Sequence, residues 1–197
     1  MHIQTITWQA MLALLGMTWG MAMAQPSTLL LDDFSSQNGM SKLGTEWVGF
    51  TDRVMGGLSD IDAGYIQTDH GPAVKMSGSV RLENNGGFIQ LRLPLNARGG
   101  NADWSGYASV RLEVRGQPGA YYLHLRTQDN RRPWHYYAAP IDLNDQWQTV
   151  EIPLSAFEPQ GTRQPLDLTA ARSIALVAYG ERFEADIELR RLELIGR

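Results

Sequence analysis

Short runs in which apolar and polar residues alternate are the feature that most limits the possible folds of this chain. In the clearest run, single polar residues separate Ala108, Val110, Leu112 and Val114. A period of two places these side chains on one face of an extended strand and leaves the other face to water. Residues 121–126 repeat the pattern, so the chain is predicted to form strands with one wet face.

The same criteria predict strands along most of the chain. They lie at 29–34, 64–68, 73–80, 87–93, 108–115, 121–126, 134–141, 147–152, 173–178 and 185–195. The apolar phase changes inside the last strand, which predicts a β-bulge near Arg190-Arg191. Only residues 166–173 favour a helical turn. Many short strands separated by Gly, Pro and Asn turns predict an all-β sandwich.

Length and charge exclude several classes of protein. The 197 residues fit one domain, and a formal net charge of −4 gives no reason to expect nucleic acid as a partner. The chain has no cysteine, which excludes a disulfide framework, a thiolate nucleophile and a lipid-attachment cysteine.

The first 24 residues predict a secretory signal peptide. They contain no Asp, Glu, Lys or Arg, and the largely apolar stretch 8–21 is followed by Ala22-Met23-Ala24. A small-x-small pattern there predicts cleavage after Ala24 and a periplasmic or secreted protein that meets the membrane only through this segment. An uncleaved anchor is the alternative, but a membrane-spanning helix needs about 20 apolar residues and the stretch 8–21 is shorter.

A search for catalytic patterns predicts no enzyme. No nucleophile elbow, phosphate-binding loop, zinc-protease motif or dinucleotide fingerprint occurs, and His70, His124 and His135 lack the spacing of a metal pair. Asp32-Asp33 could ligate a hard cation, but a hydrogen bond from one of them at a strand start is the favoured interpretation. We therefore predict a binding protein without a catalytic residue, cofactor or metal.

Two glycine pairs stand out as candidate positions of function. One lies in the run 51–59 and the other in 84–88; with the polar residues beside them, they contribute Asp52, Arg53, Met55, Gly56, Gly57, Ser59, Asn85, Gly86 and Gly87. Glycine pairs predict positive φ or a close approach of another group. Positive φ at Gly57 would exclude a β-branched residue there.

Two interpretations of these runs stay open. In the functional one, Asp52 and Arg53 present a charged edge while the glycines let a partner approach backbone N–H groups. In the structural one, the charges brace neighbouring loops and the glycines turn the chain. Contact between the two runs in the folded protein would favour the functional interpretation.

The same runs carry a family resemblance. Asp-Arg-Val-Met-Gly-Gly-x-Ser, followed by Asn-Gly-Gly-Phe and Arg92, strongly resembles the NADH:ubiquinone oxidoreductase complex I intermediate-associated protein 30 family. The resemblance covers nearly everything from Leu29 onward. It implies a galactose-binding-like jelly roll over residues 28–196. Because the mitochondrial members are assembly factors for respiratory complex I, it also implies a protein-binding or assembly role.

The polar face of two central strands is a third candidate. It would combine Tyr122, His124 and Arg126 with Trp134 and Tyr136, or with their alternates His135 and Tyr137. Rings beside Arg and His suit a sugar or a protein partner, although strand aromatics are often core. Since the predicted export signal separates the chain from the complex I arm that needs assembly, a periplasmic carbohydrate-binding module is the alternative function.

These runs and faces together give twelve candidate residues for a ligand or partner. They are Asp52, Arg53, Met55, Gly56, Gly57, Ser59, Asn85, Gly86, Gly87, Arg92, Arg126 and Tyr136. Convergence of Arg53, Asn85, Arg92 and Arg126 on one open groove would favour binding there. Burial of these groups in mutual pairs would favour a scaffold role.

Overall fold

The computed structural model describes residues 27–36 and 38–197. The predicted signal peptide, residues 1–24, lies outside the described residues. Twelve strands occur in the described part of the chain: β1 (Thr28–Asp32), β2 (Val48–Thr51), β3 (Asp62–Thr68), β4 (Gly71–Val80), β5 (Phe88–Pro94), β6 (Tyr107–Gly116), β7 (Tyr121–Thr127), β8 (Tyr136–Ile141), β9 (Gln148–Pro153), β10 (Glu158–Gln160), β11 (Ala171–Tyr179) and β12 (Phe183–Gly196).

The strands form two six-stranded antiparallel sheets. The first has the order β3-β4-β12-β6-β9, with β1 also paired to β12. The second has the order β10-β8-β7-β11-β5-β2. Sequence neighbours often belong to opposite sheets, as in β4 and β5 or β11 and β12. The predicted all-β jelly-roll sandwich is confirmed.

One apolar core receives side chains from the inner faces of both sheets. Val110, Leu112 and Val114 of β6 are fully buried, as their alternation predicted, and Leu123 and Leu125 of β7 oppose them from the second sheet. Exposed Ala108 is outside this pattern. The alternating residues of each strand are left on the outer faces of the sandwich.

The bulge predicted in the last strand is present. Leu189 of β12 pairs with Val114, whereas Arg191 pairs with Glu113, so Arg190 is the extra residue. The bulge returns Leu192 and Leu194 to the core side, where both are fully buried. This one long strand can therefore pair with β6 along its length while also pairing with β4 and then β1.

Strand bounds differ from the prediction in a few places. Neither β2 nor β10 was predicted, because each is only three or four residues long and lacks clear alternation. The helical turn predicted at 166–173 is a 3-10 helix at Leu168–Ala170, after which β11 begins. In the described ranges no helix has the length and apolar character needed to cross a membrane.

Candidate functional site

A buried carboxylate joins the two glycine runs. Asp52 is fully buried and accepts four hydrogen bonds: from the backbone N–H and the hydroxyl of Ser59, and from the backbone N–H groups of Gly87 and Phe88. The Gly87 nitrogen lies 2.6 Å from Asp52 Oδ2. Ser59 Oγ in turn accepts from the Arg81 backbone N–H at 2.9 Å. The two runs therefore do meet in space.

The two members of each glycine pair have different roles. Gly56 and Gly87 have φ values of +89° and +131°, which L side chains rarely adopt. Gly57 and Gly86 instead make room for the carboxylate, since an added Cβ would lie 2.3 Å from Asp52 Cγ and 2.4 Å from Asp52 Oδ2, respectively. The prediction of a positive φ at Gly57 is wrong. Glycine is needed there because the Asp52 side chain approaches the backbone closely.

Asp52 and Arg53 do not form a charged edge. Arg53 Nε donates to the Ser59 carbonyl at 2.9 Å, and no ion pair joins it to Asp52 in the described structure. Met55 and Asn85 are exposed beside this cluster. The neighbouring Asn84, whose φ is +57°, closes the loops by donating to the Gly56 carbonyl at 3.1 Å. The geometry of this cluster matches the bracing interpretation.

The hydrogen bonds keep Asp52 ionised. Burial opposes the charged form, but donation from Ser59, Gly87 and Phe88 outweighs burial and holds the pKa of the Asp52 carboxyl below its usual range. Ionised Asp52 is thus an acceptor that fixes backbone and is inaccessible to a ligand.

The outer face of the second sheet carries a groove. Its free volume is about 510 Å³, part of it open to solvent. The groove is lined by Phe88, Gln90, Arg92, His124, Arg126, Pro133, Tyr136, Ser173, Ala175, Val177 and Tyr179. Ser173 and Ala175 of the central strand β11 are small, and larger side chains of β5, β7 and β8 flank them. This size difference makes the face concave.

Aromatic rings cover one part of the groove. His124 and Tyr136 are stacked, with ring centroids 4.0 Å apart and an interplanar angle of 16°. Tyr179 meets His124 edge-on at 6.1 Å and is 41% exposed. Burial is the main cause that raises the pKa of Tyr136, so its phenol stays neutral even in mildly alkaline solution.

His124 is expected to stay uncharged across the physiological range. Burial, reinforced by the positive charge of Arg126, lowers the pKa of His124 to about 3. The unfolded chain would bind a proton near pH 6.5, so the folded state loses stability relative to the unfolded one as pH falls from there.

We predict that the His124 ring gives no protonation shift between pH 8 and about 4, which NMR titration of the imidazole resonances measures. A His124→Gln variant should lose less stability than the wild type over the lower half of that range. A His124 midpoint above about pH 6 would contradict the burial of this ring.

Two arginines form the polar part of the groove. Arg126 Nη1 donates to the Pro133 carbonyl at 2.8 Å, and Nη2 donates to the carbonyls of Asn130 and Arg132 at 3.0 and 2.8 Å. Arg92 lies over the Phe50 ring, with Cζ 4.4 Å from the ring centroid. Both guanidinium groups are therefore held in place by the protein.

The twelve candidate residues fall into two sets. Arg92, Arg126 and Tyr136 line the groove, whereas the other nine belong to the Asp52 cluster. Arg53 and Asn85 do not reach the groove, so the convergence of four groups is only half realised. Phe88 links the sets, because its backbone nitrogen contacts Asp52 and its side chain lines the groove. The cluster thus fixes the start of β5, one wall of the groove.

Several groove residues were not predicted. Tyr179, Ser173 and Ala175 lie on β11, which carries apolar residues on both faces and so gives no alternation signal. The alternatives at β8 are resolved: Tyr136 faces the groove, Tyr137 is fully buried in the core, and Trp134 lies before the strand, 54% exposed. Pro133, which precedes β8, also lines the groove and was not predicted as a site residue.

The described residues include no group of three or more His, Asp or Glu side chains placed to hold a metal ion. Asp32, considered earlier as a cation ligand, accepts from the Phe34 backbone N–H at 2.9 Å and from Trp47 Nε1 at 2.8 Å. Asp32 is thus hydrogen-bonded, as the favoured interpretation expected, but it lies at the end of β1 and not at a strand start.

Comparison with known proteins identifies the family. The profile for complex I intermediate-associated protein 30 (CIA30) matches residues 33–190, which include the Asp52 cluster and the groove. The chain belongs to the CIA30 family. The suspected resemblance is therefore confirmed. No curated protein matches this CIA30 family member by sequence.

Solved structures share the fold of this CIA30 family member. A family 11 carbohydrate-binding module from Clostridium thermocellum, in complex with a β-1,3-1,4-mixed-linked tetrasaccharide, is 18% identical at a TM-score of 0.67 and covers 88% of this chain and 98% of its own. The family 11 module of the C. thermocellum cellulase Lic26A-Cel5E is 17% identical at a TM-score of 0.69, covering 87% and 95%. A family 30 module of the same organism is 11% identical at 0.61, covering 87% and 98%.

Proposed function

We propose that this CIA30 family protein binds a carbohydrate in the groove of the second sheet and does not catalyse a reaction. The observation that carries this proposal is the juxtaposition of the His124–Tyr136 stack with Arg92 and Arg126 on one concave face. Aromatic rings offer apolar contact to sugar rings, while fixed guanidinium groups donate hydrogen bonds to sugar oxygens.

The shape and lining of the groove support a small ligand. Small-molecule sites are concave and place a few fixed polar groups among apolar walls, and here Arg92 and Arg126 lie beside Phe88, Pro133 and Tyr136. The carbohydrate-binding modules that share the fold add support by analogy, although one sandwich architecture serves many functions.

The composition of the groove supports binding without hydrolysis. Glycoside hydrolysis commonly uses two carboxylates that flank the scissile bond. Among the described residues that line the groove, none is an aspartate or a glutamate. Neutral His124, stacked under Tyr136, is also poorly placed to transfer a proton because the residue is buried.

The proposal predicts a loss of affinity on removal of the groove tyrosine. Tyr136→Ala should weaken binding of the best oligosaccharide about tenfold or more, because the variant loses ring contact worth about 1.4 kcal/mol or above. Tyr65→Ala is the matched control, since Tyr65 is 48% exposed on β3 of the first sheet and does not line the groove. Calorimetric titration against neutral and acidic oligosaccharides measures both. If the wild type binds none of these oligosaccharides measurably, the proposal is refuted.

A protein partner is the second candidate function, with an assembly role like that implied for the family. Exposed apolar side chains favour it: Val54, Met55, Leu58 and Leu82 on the Asp52 loops are 71%, 55%, 39% and 45% exposed. Clustered exposed apolar residues often mark a protein-binding surface. A partner captured from the native host should then be lost with Met55→Asp and kept with Tyr136→Ala. The opposite pattern would place the partner in the groove.

Export to the periplasm or outside the cell stays a prediction. It would bring the proposed site into contact with polysaccharide outside the cytoplasm. N-terminal sequencing of the protein recovered from its native host tests it, with Gln25 expected as the first residue.

A further inference from the structure

The groove continues into a wider depression that carries more arginine. Arg92 and Arg126 line both spaces, and Arg131, Arg132 and Arg172 are added by the depression. No aspartate or glutamate is found among the described residues that line either space. Five cationic residues thus line these two adjoining spaces in a protein whose formal net charge is −4.

On the opposite face of the sandwich, arginines pair with carboxylates. On the outer face of the first sheet, Arg111 pairs with Glu151 at 2.9 Å and Arg115 pairs with Glu188 at 2.8 Å. Within the described part of the chain, none of the five arginines at the groove forms a salt bridge with a carboxylate. Five arginines that pair with no carboxylate of the described chain therefore gather at the proposed binding site.

The two shared arginines are ready to receive an anion. Arg126 is held by three backbone carbonyls and Arg92 by the Phe50 ring, so neither must become ordered on binding. Burial and the nearby charge of Arg92 both lower the pKa of Arg126. The two charges repel each other on a partly buried surface, and an anion placed between them would relieve this repulsion.

The chemistry of the walls selects the kind of anion. A guanidinium donates charge-assisted hydrogen bonds to a carboxylate, whereas the His124–Tyr136 stack offers contact to a ring. A uronic acid joins both features in one unit. We infer that the groove and the depression bind an acidic oligosaccharide whose carboxylates lie on the arginines. This inference rests on the proposed function and names the class of its ligand.

Oligogalacturonate and its fully methyl-esterified form make a matched pair of probes, because they share the sugar backbone and differ in charge. The acidic form should bind at least about tenfold more tightly at low salt, a ratio expected for charge-assisted hydrogen bonds. The ratio should shrink between about 0.02 and about 0.3 M salt, since screening weakens exposed charge pairs. Calorimetric titration measures both affinities.

Arginine variants test where the charge acts. Arg126→Gln should remove most of the acidic preference, and Arg172→Gln, on the exposed rim of the depression, should reduce it about threefold. Arg163→Gln removes the same charge from an exposed position outside both spaces and should leave the preference unchanged. Because no hydrogen bond of the Arg172 side chain occurs among the described residues, and its backbone bond to Leu95 is kept in the variant, Arg172→Gln stays informative if Arg126→Gln unfolds.

The outcomes separate this inference from the proposed function. Equal binding of the acid and the ester would overturn the acidic preference and leave carbohydrate binding in place. A preference that Arg163→Gln removes as much as Arg172→Gln would reduce it to net charge and overturn the assigned site. Binding of polyglutamate with no binding of any oligosaccharide would overturn both and make the groove a peptide site.

Discussion

Replacing Asp52 with alanine is expected to lower the free energy of unfolding by about 4 kcal/mol, enough to unfold many domains of this size. The variant leaves the buried N–H groups of Ser59 and Gly87 without their acceptor, at about 1–3 kcal/mol each, and also opens a cavity. Urea denaturation measures the loss. Asp62→Ala, at an exposed position in β3, should change stability by less than about 0.5 kcal/mol.

The effect of Asp52 should depend on pH in a defined direction. Its pKa is lower in the folded state than in the unfolded chain, so the folded state binds fewer protons. The stabilisation is therefore present above the unfolded pKa, near 4, and is lost as pH falls through the lower folded value. The gap between the wild type and Asp52→Asn should narrow on acidification. A gap that widens would contradict an ionised Asp52.

Gly57→Ala is expected to have the second largest effect, a loss of about 3 kcal/mol. The new Cβ would lie 2.3 Å from Asp52 Cγ, and overpacking of this kind usually costs about 1–3 kcal/mol when a buried group must shift. Gly57→Val should be worse. Gly64→Ala is the matched control, because its Cβ meets nothing within 4 Å, and it should leave stability unchanged or slightly higher.

A double variant identifies the cause. If Gly57 is glycine because of the Asp52 carboxylate, Asp52→Ala should remove the contacts with Cγ and Oδ1 and leave only the Asp52 Cβ, at 2.7 Å from the new Cβ. The combined loss should then be smaller than the sum of the single losses by about 1 kcal/mol. Full additivity would show that Gly57 is needed for another reason. Thermal unfolding of the four proteins, wild type, both single variants and the double variant, completes the cycle.

These variants also connect the family motif to the groove. Asp52 holds the backbone at Phe88, and Phe88, Gln90 and Arg92 follow on one face of β5. The motif that best marks the family therefore has two parts: the Asp52 cluster positions one wall of the candidate site, and Phe88 and Arg92 line that site themselves. Asp52 is thus a strong signal of the family although its hydrogen bonds serve only to hold the backbone in place.

Much of the fold could be predicted because alternation is local. A strand with one buried face repeats every two residues, so β6 and β7 were found from their own side chains. The phase change in β12 located the bulge at Arg190 for the same reason. The strands β2 and β10 were missed because three or four residues cannot show a period.

The sequence by itself determined the sandwich class, the family and the places where glycine is required. Only the tertiary structure decided that Asp52 is buried between the two glycine runs, that Gly57 is needed for space, and that Arg92, Arg126 and Tyr136 share a groove. These contacts depend on strand order and register across the sheet. Since β5, β7, β8 and β11 become neighbours through long-range pairing, no local pattern could show which of their side chains meet.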